Sequence, residues 1–319
     1  QGGEVSMEDY RTLPELLEFV ACNYDHERQL SYPYRGSWMS YSTREFYERV
    51  RHLALGLVDI GVKPGETVGL IAPSSPEWVM IDLAVQIAGG ITVPIFTRIS
   101  PESFTHEVKD SGMKLLLVGE PEEIPMAREH GNGLTRIITF AYAGKHPEFE
   151  DLFVRGSRRD EEEPELFDSL VKRVGENDLA TIIYTSGSTG LPKGVELTQR
   201  NIVSQVRDTH RFFRSYTETD VCLSVLPLAH IFERMVMYFY LSAGLPVYFA
   251  DNPKQLGDYV RNVRPTIMTV VPRILEKVCT KMQDRAIEYS GLKRKLVEAA
   301  MKRAKSKPAG APAWRPRDV

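Results

Sequence analysis

The chain has 319 residues, a formal net charge of −3, and 26% charged and 42% hydrophobic residues. This composition is typical of globular proteins with one large or two ordinary domains, and it argues against a disordered chain. The charge is slight and spread along the sequence, so no basic surface for nucleic acid is indicated. Cys22, Cys222 and Cys279 are far apart and lack C-x-x-C spacing. This favours a reducing compartment and argues against a disulfide framework or a thiolate metal site.

No stretch of the sequence predicts a signal peptide or a transmembrane helix. Residues 1–7 are polar and acidic and lack the basic and apolar regions of a leader. The two most apolar stretches are 78–95, which contains a charged and an amide side chain, and 235–250, which is broken by a glycine and a proline. Neither reaches about 18 consecutive apolar residues, so each is predicted to be a buried helix followed by a buried strand.

The first 140 residues alternate between helical and strand patterns. Apolar residues at three- and four-residue spacing indicate helices, and short apolar runs rich in β-branched residues indicate strands. The predicted helices are 12–20, 43–59, 77–88, 103–110 and 121–129, and the predicted strands are 67–71, 91–95, 114–118 and 135–140. Thr43 is the predicted N-cap of the second helix and Gly61 its predicted end. Because helices alternate with strands, we expect crossover connections and a parallel sheet buried on both faces.

Residues 141–178 interrupt this alternation, and we predict an irregular charged connection there. The run 155–165 carries charges of both signs with a glycine and a proline, and it is interpreted as a solvated loop. The alternation then resumes. The predicted strands are 179–183, 221–226, 246–249 and 266–271, and the predicted helices are 198–211, 231–242, 274–289 and 292–305. Residues 306–319, rich in proline, are predicted to be a disordered tail.

Residues 184–195 read Tyr-Thr-Ser-Gly-Ser-Thr-Gly-Leu-Pro-Lys-Gly-Val and follow a predicted strand. Glycines let backbone N–H groups approach a ligand closely, hydroxyls donate to oxygen atoms, and a lysine offsets negative charge. The loop is not a Walker A loop, because Pro192 precedes Lys193 and Gly194 follows it. A flexible Ser/Gly linker is the alternative. The flanking strand and helix and the single lysine favour phosphate binding, as at helix amino termini.

Residues 184–195 resemble the phosphate-loop motif of the adenylate-forming superfamily, which includes acyl-CoA synthetases, non-ribosomal peptide adenylation domains and firefly-type luciferases. Leu-Pro-Leu-Ala-His-Ile-Phe-Glu-Arg at 226–234 is similar to the next family motif, in the form of the long-chain fatty acyl-CoA synthetases. Residues 41–65 resemble the family's amino-terminal helix and turn. The resemblance covers most of residues 10–300. It implies an α/β fold, a layered αβαβα-type amino-terminal domain with mostly parallel sheets, incomplete at its carboxyl end.

The resemblance also implies ATP-dependent, AMP-forming ligation of a long-chain fatty acid to coenzyme A through an acyl-adenylate, with Mg²⁺ as cofactor. His230 would lie where the acyl group, the adenylate and the thiol meet, and Thr185 would lie near Mg²⁺. The implied phosphate-binding residues are Thr185, Ser186, Gly187, Ser188, Thr189, Gly190 and Lys193. Considered without the motif, a lone histidine such as His230 is more often a hydrogen-bonded structural residue. Lys193 and His230 are the predicted catalytic residues.

The helix after His230 carries many aromatic residues and methionines. Core packing is one interpretation, and an acyl-tunnel wall on one face is the other, since methionine and aromatic side chains form adaptable apolar surfaces. The residues concerned are Phe232, Met235, Met237, Tyr238, Phe239 and Tyr240. Glu233 and Arg234 are interpreted as a surface or helix-entry pair without a catalytic role.

Several family motifs are absent from the sequence. No Tyr-Gly-x-Thr-Glu stretch, the adenine-loop and magnesium-glutamate motif, follows residue 271. The ribose-binding aspartate, the hinge and the lysine of the carboxy-terminal lid are not found either. We therefore expect residues 1–319 to be a portion of the amino-terminal domain, without the lid and inactive alone.

Two other functions stay open. One is fatty-acyl, aryl or amino-acid adenylation with transfer to a carrier protein, and the other is a catalytically inactive binding module of the same fold. The predicted partners are fatty acid, ATP and coenzyme A, without nucleic acid. Cytoplasmic placement with peripheral membrane contact is expected, because fatty acids partition into bilayers.

Overall fold

The chain divides into two compact units, which meet in sequence between Thr269 and Val270. The computed structural model describes residues 10–140, 146–185, 190–213, 215–217, 219–288 and 291–306. All residues predicted to carry chemistry belong to the first unit.

The first unit contains both sheets and the helices that cover them. Its described helices are α1 (Leu13–Asn23), α2 (Thr43–Asp59), α3 (Pro76–Ile87), α4 (Pro101–Ser111), α5 (Ile124–His130), α6 (Pro147–Glu162), α7 (Leu166–Arg173), α8 (Gln199–Phe212), α9 (Ile231–Ser242) and α10 (Leu256–Val263). Its described strands are β1 (Leu30–Tyr34), β2 (Ser37–Tyr41), β3 (Thr67–Ile71), β4 (Ile91–Ile95), β5 (Leu115–Val118), β6 (Arg136–Thr139), β7 (Leu179–Thr185), β8 (Lys193–Thr198), β9 (Cys222–Ser224) and β10 (Val247–Phe249).

The larger sheet has six strands in the order β6-β5-β3-β4-β7-β8. All neighbouring pairs are parallel except β7 and β8, which are antiparallel. Every residue of β4 and β5 is buried, as expected for parallel strands that are covered by helices on both faces. The strands β3 and β4 occupy the predicted residues. The predicted α/β fold with mostly parallel sheets is confirmed.

The smaller sheet has four strands in the order β2-β1-β10-β9. Strands β1 and β2 form an antiparallel hairpin that the sequence patterns did not predict. It turns at Arg35 and Gly36, which have φ angles of 48° and 80°, the conformation of a two-residue type I′ turn. The prediction of a strand over 266–271 is wrong. Within this range only Ile267 forms a β-bridge, with Cys222.

Reciprocal caps explain where three helices begin. In each, the N-cap side chain accepts the N3 backbone N–H, and the N3 side chain accepts the N-cap N–H. The pairs are Thr12 with Glu15, Ser42 with Glu45, and Thr198 with Asn201. The prediction of Thr43 as the N-cap of α2 was wrong by one residue. The predicted end of that helix at Gly61 is confirmed, since Gly61 follows the last turn with a φ of 98°.

The prediction of an irregular connection over residues 141–178 is wrong. Its described part contains α6 and α7, and α6 buries Phe149, Leu152 and Gly156 at three- and four-residue spacing. The glycine is not a breaker here, because a Cβ at Gly156 would lie 1.7 Å from a backbone carbonyl oxygen of α2. Gly56 of α2 makes the reciprocal close approach, because a Cβ at Gly56 would lie 2.1 Å from a backbone carbonyl oxygen of α6. Two glycines therefore let the helix backbones touch. Charged side chains of α6 pair with α2 beside this contact, Arg155 with Asp59 at 3.0 Å and Asp160 with Arg51 at 2.6 Å.

The second unit contains, in its described part, α11 (Pro272–Glu288) and α12 (Gly291–Ser306). These helices correspond to the two that the sequence predicted after residue 273. Ser306 is the last residue of α12, so the predicted tail begins one residue too early. Residues 307–319 lie outside the described residues.

Candidate active site

The carboxyl ends of β3, β4 and β7 lie side by side at one edge of the six-stranded sheet. Strands β3 and β4 pair over their whole lengths, and Thr92 of β4 pairs with Thr181 of β7. Because the three strands are parallel, the segments that follow them start from the same edge. Open parallel sheets bind ligands beyond the carboxyl ends of their strands. The predicted site residues are therefore expected to lie at this edge.

Thr185 and Lys193 face each other across the β7–β8 hairpin. Thr185 is the last residue of β7, Lys193 is the first of β8, and the two are direct partners in the ladder. Both side chains are exposed. Gly190 lies between them with a φ of 101°, a conformation that favours glycine. The predicted phosphate-binding residues Ser186, Gly187, Ser188 and Thr189 lie outside the described residues.

The helix predicted over 198–211 is confirmed as α8, but a strand that was not predicted lies between Lys193 and this helix. Residues 193–198 form the antiparallel strand β8, and α8 begins only at Gln199, capped by Thr198. The amino terminus of a helix therefore does not follow the loop, and the argument from helix-start anion sites does not apply to it. Strand β8 was missed because four of its six residues are exposed, which leaves no alternation of apolar and polar residues for a pattern to detect.

His230 is the N-cap residue of α9 and is exposed. Its Nδ1 accepts the backbone N–H of Phe232 at 3.4 Å. Its ring lies 6.4 Å from the ring of Phe96 in an edge-to-face arrangement, and Phe96 directly follows β4. The structure therefore brings His230 to the carboxyl end of β4, the neighbour of the strand that carries Thr185.

Ser74 fixes the turn that precedes His230. Its hydroxyl donates to the carbonyl of Leu226 at 3.0 Å and accepts the N–H of Leu228 at 2.8 Å. Ser74 lies in the loop after β3, so this double contact attaches the 226–228 turn to the carboxyl end of that strand. Sequence reasoning missed Ser74 and Phe96, because contacts between distant parts of the sequence leave no local signal. Ser74 contacts Leu226 across 152 positions, and Phe96 contacts His230 from another element.

Arg234, one helical turn after His230, is buried against α3. Its guanidinium donates to both carboxylate oxygens of Asp82, at 2.7 and 2.5 Å. The Tyr238 hydroxyl also donates to Asp82. Arg234 is 1% exposed and Asp82 is fully buried, so the prediction of a surface pair is wrong. The ion pair instead holds α9 on α3.

Glu233 is buried on the other side of the same helix start. Its carboxylate accepts the hydroxyl of Ser224 in β9 at 2.6 Å. Burial raises the pKa of the Glu233 carboxyl to about 7, and the bonds from Ser224 and the Leu226 backbone oppose this rise. Glu233 and Arg234 therefore bind separate partners, and both serve to fix α9.

Core packing accounts for four of the six residues that could have lined an acyl tunnel. Met237, Tyr238, Phe239 and Tyr240 are all buried in the main hydrophobic core. Phe232 is 44% exposed. An exposed aromatic ring two residues after His230 leaves an apolar surface beside the imidazole.

The side chains at this edge suit an anion, such as a phosphate, whose oxygen atoms can also bind a metal ion. Lys193 supplies a cation, and the exposed Thr185 hydroxyl is a hard oxygen ligand of the kind that Mg²⁺ accepts. Among the described residues no group of three His, Cys, Asp or Glu side chains could hold a metal ion.

Comparisons with known proteins identify relatives of this chain. The family model described as AMP-binding enzyme matches residues 18–311. Long-chain-fatty-acid–CoA ligase 5 of Rattus norvegicus is 30% identical over 303 residues, which cover 87% of this chain and 43% of the relative. Long-chain-fatty-acid–CoA ligase FadD15 of Mycobacterium bovis is 28% identical over 293 residues, 89% of this chain and 48% of the relative. The chain thus spans about half the length of these relatives.

The fold has solved counterparts. The N-terminal domain of FACL13 from Mycobacterium tuberculosis, solved with an inhibitor, superposes with a TM-score of 0.68 at 22% identity. The match covers 84% of this chain and 64% of that one. At this identity the similarity concerns the fold.

The Asp82→Asn substitution tests whether the buried ion pair holds α9. We expect it to lower the free energy of unfolding by about 3–5 kcal/mol, because Arg234 would stay buried without its anion. Urea denaturation of the purified chain measures the change. Replacing both residues by apolar ones, Asp82→Leu with Arg234→Met, should recover most of the loss.

The exposed pair Arg44–Glu48 on α2, joined at 2.8 Å, provides the matched control. Arg44→Gln should leave the denaturation midpoint nearly unchanged, because exposed ion pairs contribute little. A loss for Asp82→Asn no larger than that for Arg44→Gln would contradict the assigned role.

Proposed function

The chain belongs to the AMP-binding enzyme family, and on that premise we propose that its parent protein is an ATP-dependent, AMP-forming ligase. The proposed reaction joins a long-chain fatty acid to coenzyme A through an acyl-adenylate. The observation that carries this proposal is the pairing of Thr185 with Lys193 at the sheet edge, next to the strand end that His230 contacts through Phe96. The long-chain fatty acid is the substrate class named for the curated relatives.

The reaction has two displacements. A carboxylate oxygen of the fatty acid attacks the α-phosphorus of ATP, and the bond to the β-phosphate bridging oxygen breaks to release pyrophosphate. The sulfur of coenzyme A then attacks the acyl carbonyl carbon, the bond to the AMP oxygen breaks, and the thiol proton passes to a base. Such phosphoryl chemistry depends on positioning and charge neutralisation more than on covalent help from the protein.

Lys193 and the loop before it would bind the β- and γ-phosphates that leave as pyrophosphate. Negative charge builds up on the leaving group as the bond breaks, so a fixed cation beside it stabilises the transition state more than the ground state. Mg²⁺ near Thr185 would neutralise further phosphate charge when bound. The exposed positions of Thr185 and Lys193 leave both groups accessible to a nucleotide.

His230 would act beside the acyl carboxylate. Because its Nδ1 accepts the Phe232 N–H, the neutral ring carries its proton on Nε2. That N–H can donate to a carboxylate or phosphate oxygen at the site. The exposed rings of Phe96 and Phe232, 41% and 44% accessible, would contact the first carbons of the acyl chain.

The same site is compatible with two other functions. A carrier-protein phosphopantetheine could replace coenzyme A as the acceptor, and an aryl or amino acid could replace the fatty acid. A catalytically inactive binding module would bind nucleotide without turnover. ATP–pyrophosphate exchange with a panel of carboxylic acids separates the activated acids from one another and separates turnover from binding alone.

We further propose peripheral membrane contact at the carboxyl end of α8. Phe212 is 85% exposed and Phe213 64% exposed. Next to them lies a cavity of about 350 Å³ whose lining contains two acidic residues and four arginines, Arg11, Arg200, Arg207 and Arg211. Exposed aromatic rings beside arginines suit the interface of an anionic bilayer. No helix within the described residues is long and apolar enough to cross a membrane.

ATP–pyrophosphate exchange tests the proposed function. We expect the whole protein to exchange label only when a carboxylic acid is present, and best with long-chain acids in a panel from acetate to long-chain and aryl acids. Lys193→Ala should lower kcat/KM for ATP by about 10- to 100-fold, the loss typical of one charged hydrogen bond, with little change in KM for the fatty acid.

Lys63→Ala is the matched control for Lys193→Ala. Lys63 is an exposed lysine before β3, at the opposite edge of the same sheet, and its removal should not alter the exchange. The 319-residue chain alone should give no exchange. Normal turnover of Lys193→Ala would contradict the phosphate assignment, and binding of ATP without any exchange would favour the inactive module.

His230→Asn separates a catalytic from a structural histidine. Asparagine is a good N-cap residue, so α9 should keep its start and the melting temperature should stay within about 2 °C. We expect kcat for acyl-CoA formation to fall about 100-fold, the lower range for loss of one positioned hydrogen-bond donor to a developing negative charge. A lower melting temperature with normal kcat would instead assign His230 a structural role.

Vesicle binding tests the membrane proposal. We expect Phe212→Ser to weaken sedimentation with phosphatidylserine vesicles about threefold to tenfold, because the substitution removes the apolar contact between the aromatic ring and the bilayer. Added salt should weaken the binding further, because it screens the attraction between the arginines and the anionic lipid. Val154 on α6, 67% exposed, provides the control variant Val154→Ser. Equal binding by the wild type and both variants would contradict the assignment to α8.

A further inference from the structure

We propose that His106 and Asp110 of α4 are positioning residues for the phosphate site, because they hold the chain directly before Lys193 and directly before Thr185. The inference rests on the proposed function, since it gives α4 a part in nucleotide binding. Neither residue belongs to the motifs that the sequence analysis singled out.

His106 holds the β8 side of the hairpin. Its Nε2 lies 2.8 Å from the carbonyl oxygen of Pro192, and because a carbonyl only accepts, Nε2 carries the proton. Proline has no backbone N–H, so this carbonyl is the single backbone group by which Pro192 can be held. The contact therefore fixes the chain at the residue before Lys193.

Asp110 holds the β7 side. The hydroxyl of Tyr184 donates to its carboxylate at 2.8 Å. Tyr184 is buried, and burial together with the neighbouring carboxylate raises the pKa of its phenol, which stays a donor. His106 and Asp110 are four residues apart and so share one face of α4. The rings of His106 and Tyr184 meet edge to face at 6.1 Å.

The hairpin between the two contacts is closely packed. Tyr184 pairs with Gly194 across the ladder. A Cβ added at Gly194 would lie 2.9 Å from a methyl of Ile182 and 3.3 Å from the Tyr184 ring. The glycine thus leaves room for the side chains of Ile182 and Tyr184 on one face of the hairpin. The ladder sets the separation of Thr185 and Lys193, and α4 sets where both stand relative to the sheet.

The position of β8 depends on these contacts, because β8 is an edge strand that pairs with β7 on one side. Electrostatic stabilisation of a leaving phosphate needs a cation in a fixed position, since a displacement of about 1 Å costs a large part of the rate. A helix that anchors the strand on both sides of the loop supplies that rigidity.

Steady-state kinetics of the whole protein test the inference. In His106→Ala we expect KM for MgATP to rise about three- to tenfold, the value of one hydrogen bond, with KM for the fatty acid unchanged. His106→Gln should restore most of the ATP affinity, because its amide N–H can donate to the Pro192 carbonyl. Tyr184→Phe, which removes only the hydroxyl, should act in the same direction as His106→Ala.

His130→Ala is the control. His130 is the last residue of the neighbouring helix α5, and its ring lies 3.8 Å from Glu129. It should leave both KM values unchanged. An equal rise in KM for ATP and fatty acid in His106→Ala, without rescue by glutamine, would indicate general loss of structure and overturn the positioning role.

Calorimetric titration with MgATP keeps this test separate from that of the proposed function. A wild type that binds MgATP but gives no exchange overturns the ligase, while a three- to tenfold weaker Kd in His106→Ala and Tyr184→Phe still supports the positioning role. Unchanged Kd and KM values in both variants overturn the inference and leave the ligase standing. A wild type that neither binds MgATP nor exchanges overturns both.

Discussion

The buried ion pair between Asp82 and Arg234 is the constraint on which the candidate site depends. Both groups are removed from water, and a partner on only one side would leave an uncompensated charge in the core. The bidentate geometry therefore admits one placement of α9 on α3. His230 precedes Arg234 by four residues and lies one turn away on the same helix, so fixing the arginine fixes the position from which the imidazole starts.

The polar contacts continue from this pair across the interior. Gln86 donates to Asp82, and Gln199 donates to Gln86 at 2.8 Å. Gln199 in turn accepts the backbone N–H of Leu13 at 2.9 Å. Four helices, α1, α3, α8 and α9, are thus connected by one chain of buried polar contacts, in which the Nη1 atom of Arg234 has no hydrogen-bond partner. Buried hydrogen bonds are strong in a low dielectric, so these contacts favour one packing of the four helices.

The sequence predicted those elements whose residues are apolar along their whole length. Strands β3 and β4 were placed correctly, because buried apolar runs bounded by proline and glycine have few alternatives. The sequence did not predict α6, because its apolar face is narrow and Gly156, needed for contact with α2, resembles a helix breaker. Strand β8 has mostly exposed side chains, so its pairing with β7 is set by backbone bonds that no side-chain pattern reports. Of the candidate site, the motifs supplied Thr185, Lys193 and His230, whereas Ser74, Phe96 and Asp82 are brought in by tertiary contacts.

The segment 226–234 shows why a motif of this kind combines chemistry with architecture. His230 is exposed at the helix start, whereas Glu233 and Arg234 are 1% exposed and bind β9 and α3. An α-helix is stiff over one turn, so the position of the exposed residue is only as constant as the contacts of the buried ones. Substitutions at the buried positions are therefore expected to displace His230 through movement of α9, since Glu233 and Arg234 bind β9 and α3. The β7–β8 hairpin has the same organisation, since Lys193 and Thr185 are exposed while Tyr184 is buried against α4. In both places the accessible group is held by a neighbour in the sequence that faces the interior.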